Sequence, residues 1–446
     1  MLMYRINLFA AVLFTLIFSS SAYSQAEEKL QSGPMVGMAD MLEAKLWLQT
    51  TEIAEVYAAY YATDDESTVF KTDAVITKKK DAYTAQLVAD QVKPGKTYQY
   101  DMFIDGKKLS RPYPTTFKTP PLWQYRTDPP EMKFLLGSCT FISEPEYDRP
   151  GMAYGGDYEI FESMQKEQGD FMVWLGDNIY LREVDFGSKT GIYHRYTHTR
   201  STPEMQSLLA STANYAIWDD HDYGPNNSDR SYYMSPYTLE AFKDFWANPT
   251  YGINGTPSTV SSFSWGDATF FLVDNRSFRT PNYANGERTL LGEDQLQWLL
   301  DALTACNTTF KFVCIGNQVL NSVERFENYI NLAPEERTNI LRTIEEEGIR
   351  NVIFLSGDRH HSELSHIQKS KLNIYDFTVS PLTSGSHDAS DEPNQYRVED
   401  SHVGIRNYGI MKITGPRLER VLTLSLHDKD GNELYSYEIE AQYRGR

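Results

Sequence analysis

Apolar and polar positions alternate with two different rhythms along the chain, and the rhythm changes near residue 130. Before that point, short runs of alternating apolar and polar residues are separated by turn-forming residues, as at 44–48, 54–57, 83–88 and 96–103. Short alternating runs of this kind are typical of a β-sandwich. A proline-rich stretch from Pro112 to Pro130 follows and indicates a linker.

After the linker, runs of consecutive apolar residues alternate with segments of helical periodicity. Continuous apolar runs fit strands covered on both faces, and their alternation with helices predicts an α/β domain. Helices are expected at 158–168, in a segment that opens at Ser201, and at 237–247, 294–306 and 334–347. Strands are expected at 132–136, 171–175, 215–218, 269–273, 310–315 and 352–355.

Each of these six apolar runs is followed at once by small or polar residues. Sites in α/β sheets collect at the carboxyl ends of the strands, so we expect the six tails to converge. The tail at 219–222 holds three carboxylates and an imidazole, and such carboxylates repel one another unless a cation compensates. The set therefore predicts a metal site. The candidate side chains are Cys139, Asp177, Tyr180, Asp219, Asp220, His221, Arg276, Asp358, Arg359 and His360.

Length and charge narrow the class of protein. A chain of 446 residues can form two or three domains, and a net charge of −19 argues against nonspecific binding to nucleic acid or to anionic membranes. The first 24 residues have the pattern of an export signal, with an apolar run from Leu8 to Phe18, so the protein is expected to be periplasmic or secreted. No later segment is long and apolar enough to span a bilayer. The predicted order is a signal peptide at 1–24, a β-sandwich at 25–128 and a catalytic domain at 129–446.

The three cysteines cannot all pair with one another. Cys306 and Cys314 lie at a predicted helix end and in the next strand, where they are either bridged or simply small buried residues. Cys139 is then the odd residue in a compartment that normally oxidises thiols, and its unpaired thiol needs a reason.

The motifs together resemble those of the PhoD-type alkaline phosphatases and phosphodiesterases, relatives of the calcineurin-like and purple acid metallophosphatases. The resemblance covers about residues 130 to 390. It implies a layered α/β/β/α metallophosphatase-type catalytic domain, preceded by a small β-sandwich of the fibronectin type III or Ig-like kind. The matching segments are 137–139, 176–180, 218–227, 274–277, 291–299 and 356–361.

The resemblance also implies two metal ions bridged by a carboxylate, and Asp177 stands at that position. Cys139 and Tyr180 would bind the first ion, and thiolate and phenolate ligands favour Fe³⁺. The second ion would be Ca²⁺, with Asp220 as its main ligand and Asp219 as the alternative. Two more ligands, for which the choice of ion stays open, are Asp358 and His360.

The chemistry implied is hydrolysis of a small phosphate ester, in which a hydroxide generated at the metals is the nucleophile. His221 would contact the phosphoryl group or protonate the leaving oxygen. Arg276 and Arg359 would neutralise phosphate oxygens, with Arg279 as a further candidate. Two alternatives are a phospholipase-type or nucleotide-type phosphodiesterase, and a non-catalytic surface-binding protein on the same scaffold. The intact set of ligands argues against the second alternative.

Overall fold

Two β-sheets pack face to face, and helices cover their outer faces. The computed structural model describes residues 26–325 and 327–443, so the predicted export signal lies outside the described residues. Within those residues no helix has the length and apolar character needed to cross a bilayer. The α/β/β/α layering predicted for the catalytic region is confirmed, and a β-rich region precedes it.

The strands are β1 (Leu30–Ala39), β2 (Ala44–Thr50), β3 (Glu55–Ala62), β4 (Asp65–Lys71), β5 (Val75–Ile76), β6 (Thr84–Ala89), β7 (Thr97–Ile104), β8 (Lys107–Lys108), β9 (Thr116–Lys118), β10 (Met132–Gly137), β11 (Phe171–Leu175), β12 (Ala213–Ile217), β13 (Ser261–Trp265), β14 (Ala268–Leu272), β15 (Phe310–Cys314), β16 (Val352–Ser356), β17 (Glu363–Lys369), β18 (Leu372–Thr378), β19 (Asn407–Thr414), β20 (Val421–Asp428) and β21 (Glu433–Glu440). The α-helices are α1 (Ile160–Lys166), α2 (Lys189–Arg200), α3 (Gln206–Ser211), α4 (Asp220–Tyr223), α5 (Ser235–Phe245), α6 (Glu293–Ala305), α7 (Tyr329–Leu332) and α8 (Pro334–Glu346).

All six strands expected in the catalytic region are present, but they are divided between the two sheets. The nine-stranded sheet has the order β21-β20-β19-β10-β11-β12-β1-β2-β6, and β10, β11 and β12 are parallel. The six-stranded sheet has the order β13-β14-β15-β16-β18-β17, and β14, β15 and β16 are parallel. The carboxyl ends of the two parallel groups therefore lie along the same edge of the pair of sheets, one group in each sheet.

The core between the sheets explains why these strands are continuously apolar. In β11, Phe171 and Val173 face the other sheet, whereas Met172 and Trp174 face the helices. Aromatic rings fill the space between the sheets, and the centroid of Phe171 lies 5.2 Å from that of Phe270. Burying one such side chain stabilises the fold by about 2–3 kcal/mol. A strand that is buried on both faces needs apolar residues at every position.

The helices agree with the sequence patterns except in one region. The predicted helices at 158–168, 237–247, 294–306 and 334–347 correspond to α1, α5, α6 and α8. The segment that opens at Ser201 contains helix α3, preceded by a 3₁₀ turn at Pro203–Met205, whereas Ser201 itself ends α2. Helix α2 was not expected, since its sequence is polar and contains three threonines, which do not favour helix. The helix is stabilised by the packing of its buried side chains, such as Ile192 and Tyr196, against other parts of the chain.

The N-terminal β-rich region is joined to the catalytic sheet through backbone pairing. Strand β1 runs parallel to β12, with Val36 opposite Ala213, and β2 and β6 extend the sheet beyond it. A third sheet, built on β3 and β7, packs against these strands. The phenol of Tyr98 accepts the backbone N–H of Lys93 at 2.7 Å, as in a tyrosine corner. The domain boundary after residue 128 stays a prediction, and the nine-stranded sheet continues across it.

Candidate metal centre

The side chains predicted to bind metal sit on unusual backbone at the ends of the strands. Cys139, Asp177, Asp358 and His360 have φ values of 59°, 52°, 63° and 55°, in the left-handed region. Such conformations cost about 1–3 kcal/mol for residues other than glycine and persist only where the surroundings enforce them. They turn each chain sharply at the end of its strand, so the side chain stays at the sheet edge.

The first group of ligand atoms combines sulfur, oxygen and nitrogen. One donor atom each from Cys139, Asp177 and His360 lies within 4.8 Å of the others. The Cys139 Sγ atom is 3.7 Å from Asp177 Oδ2, and the Tyr180 Oη atom is 3.1 Å from His360 Nε2. Ser380 Oγ donates to Cys139 Sγ at 3.2 Å. Cys139 and Tyr180, predicted at the first ion, and Asp177, predicted as the bridge, thus lie beside His360, for which the choice of ion was open.

Two further groups contain mainly carboxylates. Asp177, Asp220 and His221 form one, and Asp219, Asp220 and Asp358 form the other, again with donor atoms within 4.8 Å. The short helix α4 creates this arrangement, because Asp220 and His221 occupy its first turn directly after β12. Asp177 belongs to two groups, and so does Asp220. Shared carboxylates of this kind fit a site for two ions.

Burial and mutual repulsion perturb the carboxylates. Burial, followed by the charge of Asp220, raises the pKa of Asp177 well above its usual value. Burial and the charge of Asp219 do the same to the pKa of Asp358. Burial also raises the pKa of Asp219, to about 6, although Arg276 opposes the shift. Buried acids in contact are stable as anions only beside a compensating cation.

Two buried carboxylate oxygens without hydrogen-bond partners show that a cation fits this group of side chains. Asp219 Oδ2 and Asp220 Oδ1 are buried and have no hydrogen-bond partner among residues 26–325 and 327–443. Buried carboxylate oxygens normally have partners, because an unmet acceptor costs about 1–3 kcal/mol. Metal coordination would satisfy both atoms. The Cys139 thiol points the same way, since burial raises its pKa to about 12 and a bound metal ion would favour its thiolate.

The two arginines predicted to bind phosphate form ion pairs inside the protein, and their contact with phosphate stays a prediction. Arg276 is fully buried and forms ion pairs with Asp219 and with Glu327. Arg359 donates to Glu392 at 2.6 and 2.7 Å. Their donors hold carboxylates in place, so the geometry supports a positioning role rather than contact with phosphate. The position of an arginine after a strand in the sequence does not show whether its side chain pairs with a carboxylate of the protein or with a phosphate.

His221 lies against the ligand groups as expected. Its ring stacks on Tyr180 with centroids 4.2 Å apart, and its backbone N–H donates to Asp177 Oδ1 at 3.1 Å. Burial lowers the pKa of His221, although Asp220 opposes the shift. A neutral imidazole is suited to donating a hydrogen bond to a phosphoryl oxygen. The ring also lies close enough to Asp177 and Asp220 to bind an ion, a role that its sequence position did not suggest.

Several residues of the site were not singled out by the sequence. Asn275 Nδ2 donates to Asp219 Oδ1 and to Asn317 Oδ1, each at 2.7 Å. Each asparagine is the second residue after an apolar run, so the signal that identified the acids could have found them. Tyr154 lies in a loop without such a signal, and its phenol oxygen is 3.0 Å from His360 Nδ1. It contacts the same imidazole as Tyr180 does.

Facing sheets that bring carboxylates, imidazoles, a thiol and a phenol to one edge define a metallophosphatase-like protein. The sequence profile of the PhoD-like phosphatase family matches residues 134–416, and the chain belongs to that family. A second profile, for a domain of unknown function (DUF7800), matches residues 27–122.

Known proteins agree with this assignment. The chain is 24% identical to alkaline phosphatase D of Bacillus subtilis (strain 168) over 388 residues, which cover 73% of this chain and 63% of that protein. The match thus spans less than two thirds of the relative. A solved structure of PhoD has a TM-score of 0.75 at 18% identity and 94% coverage of both chains. A purple acid phosphatase from yellow lupin (Lupinus luteus) seeds has a TM-score of 0.68 at 11% identity, with 93% of this chain and 75% of that chain covered. At these identities the two structures establish the fold.

Proposed function

We propose that the chain is an exported, metal-dependent phosphoric ester hydrolase that acts on phosphate monoesters, diesters or both. The observation that carries the proposal is the position of Asp177, whose carboxylate belongs both to the group with Cys139 and His360 and to the group with Asp220 and His221. One carboxylate shared by two neighbouring ligand groups is the arrangement that a pair of ions requires. Membership of the PhoD-like phosphatase family supports the reaction class.

The two ligand groups differ in chemistry, and this supports the proposal of two different ions. Thiolate, phenolate and imidazole from Cys139, Tyr180 and His360 suit Fe³⁺. Carboxylates such as those of Asp220 and Asp358 suit Ca²⁺, which prefers oxygen ligands. When bound, such a pair would supply positive charge to the phosphoryl oxygens and activate a water for attack.

The protein side chains would orient the ester and its ligands. His221 stacks on Tyr180 beside the shared carboxylate, so its ring N–H is available to a phosphoryl oxygen. Arg276 and Asn275 hold Asp219 from the buried side, and Asp219 keeps one oxygen for coordination. Tyr154 fixes the ring of His360 while its own side chain is 46% exposed. The ester would therefore enter beside Tyr154.

The test combines metal analysis of the purified protein with hydrolysis of matched aryl phosphate monoesters and diesters. We expect both metals to be present and chelation to abolish hydrolysis reversibly. A protein without metal that hydrolyses neither ester would overturn the proposal. Activity on the diester alone would identify the substrates as diesters, as in the phosphodiesterase alternative. The N-terminal sequence of protein recovered from outside the cytoplasm tests the export signal, with cleavage expected after Ser24.

A further inference from the structure

A small cavity lies behind the strand end that carries Asp177, on the helix-covered side of the nine-stranded sheet. Its volume is about 10 Å³, which is about what one water-sized occupant needs. The residues around it come from β11 and the loop after it, from α2, from the turn before α3 and from the end of α5. They are Trp174, Asn178, Ile179, Tyr196, Thr199, Arg200, Met205 and Trp246.

Arg200 brings a buried positive charge to this cavity. Its side chain is buried, and in the part of the chain that the structure describes its nitrogens contact a sulfur and a carbonyl and form no ion pair with a carboxylate. Its guanidinium lies 4.0 Å from the centre of the Trp246 ring, and its nitrogens contact the Met35 sulfur at 3.4 Å and the Phe245 carbonyl at 3.3 Å. Burial lowers the pKa of Arg200 to about 9. A buried cation without a counter-charge is costly.

Two hydrogen-bond donors on the cavity wall also lack acceptors. The phenol of Tyr196 and the indole N–H of Trp246 are both buried, and neither has a hydrogen-bond partner among the described residues. An indole N–H can only donate. The charge of Asp222 raises the pKa of both Arg200 and Tyr196, but the Asp222 oxygens already accept N–H groups of Asn178 and Asp219. The cavity thus combines a cation with two free donors.

We propose that this cavity binds one halide ion, chloride under ordinary conditions, between the guanidinium of Arg200, the phenol of Tyr196 and the indole of Trp246. An anion satisfies both donors and supplies the missing counter-charge, and the cavity is too small for a polyatomic anion. Water is the competing occupant, because the unpartnered amide oxygen of Asn178 on the same wall would accept a hydrogen bond from it. The proposal does not depend on the phosphoesterase activity.

Thermal unfolding of the full protein distinguishes the two occupants. Chloride, bromide and gluconate are compared at the same ionic strength. Chloride and bromide should raise Tm relative to gluconate, by about 1–2 °C for each tenfold increase above the dissociation constant. The same Tm in all three salts would overturn the proposal and assign the cavity to water. Crystals grown in bromide should show an anomalous peak between Arg200, Tyr196 and Trp246, and the absence of that peak would also overturn the proposal.

A single hydroxyl provides the matched test. Tyr196→Phe removes an unpartnered buried hydroxyl, so in gluconate the variant should be at least as stable as the wild type. In chloride it should lose most of the halide-dependent rise in Tm. Tyr408→Phe is the control, because the Tyr408 hydroxyl is also buried and unpartnered but does not line the cavity. A full halide response in Tyr196→Phe, or an equal loss in Tyr408→Phe, would contradict the assignment.

Discussion

A methyl group placed at Gly316 tests the position of Asp219 without changing any candidate ligand. A Cβ atom at residue 316 would lie 2.3 Å from Asp219 Oδ2 and 2.7 Å from Asn275 Nδ2, whereas ordinary contacts are 3.4–4 Å. The Asp219 carboxylate must therefore move by about 1 Å to restore normal contact. The backbone at Gly316 is outside the left-handed region, so alanine is compatible with the chain itself.

The expected cost follows from this displacement. A shift of about 1 Å in a positioning group lowers the rate about 100-fold, so Gly316→Ala should reduce kcat/KM for an aryl phosphate by that factor. Overpacking should lower the unfolding free energy by about 1–3 kcal/mol. Steady-state kinetics, metal content and urea unfolding measure the three effects. Gly187→Ala is the control, since the nearest atom to its new Cβ is Tyr233 Oη at 3.8 Å.

A double-mutant cycle with Asp219→Ala separates loss of the carboxylate from a general disturbance. If Gly316→Ala acts by displacing Asp219, adding Asp219→Ala should lower kcat/KM little further. Fully additive effects would refute this mechanism. Normal metal content and activity in Gly316→Ala would refute the assignment of Asp219 to the site.

Three other changes test separate parts of the molecule. Asp177→Asn should remove metal and activity together, and normal metal content with full activity would refute its bridging role. Tyr154→Phe removes the hydroxyl that orients His360 and should weaken metal retention about 10–100-fold against a chelator; unchanged retention would refute that role. Burial alone would raise the pKa of Glu363, but the imidazole of His361 and the guanidinium of Arg397 outweigh burial and lower the pKa to about 2. The folded state then binds fewer protons than the unfolded state, so the lowered pKa contributes about 3 kcal/mol to the unfolding free energy. This contribution is complete above pH 4.5 and is lost as the pH falls toward 2. In urea unfolding, Glu363→Gln should abolish most of this pH dependence.

Two of these substitutions, Tyr154→Phe and Glu363→Gln, have a simple control or comparison. Tyr237→Phe is matched to Tyr154→Phe, because the Tyr237 side chain is 43% exposed and lies on helix α5. For Glu363→Gln, the comparison is the unfolding free energy above pH 5 and near pH 3. An unchanged slope in the variant would show that other carboxyl groups cause the acid sensitivity.

The apolar runs of the catalytic region could be recognised from the sequence because they are buried on both faces. Such strands lack the alternation of apolar and polar residues that half-exposed strands show. Helices α1, α5, α6 and α8 each have a clear apolar face. Helix α2 lacked this signal, since its stability comes from contacts that are distant in the chain. Cys306 and Cys314 illustrate the same limit, because both are free in the structure, and only their separation in space decides whether two cysteines can pair.

The sequence by itself determined the strands, the residues at their ends and the kind of chemistry those residues can support. A continuous apolar run and the side chain that follows it are local properties, so Asp177 and His360 could be identified without coordinates. Only the tertiary structure decided that the six strands form two facing sheets, which brings Asp177 into both ligand groups. It also decided that Arg276 is buried between carboxylates. Burial and partners depend on residues far apart in the chain, and spacing along the sequence does not encode them.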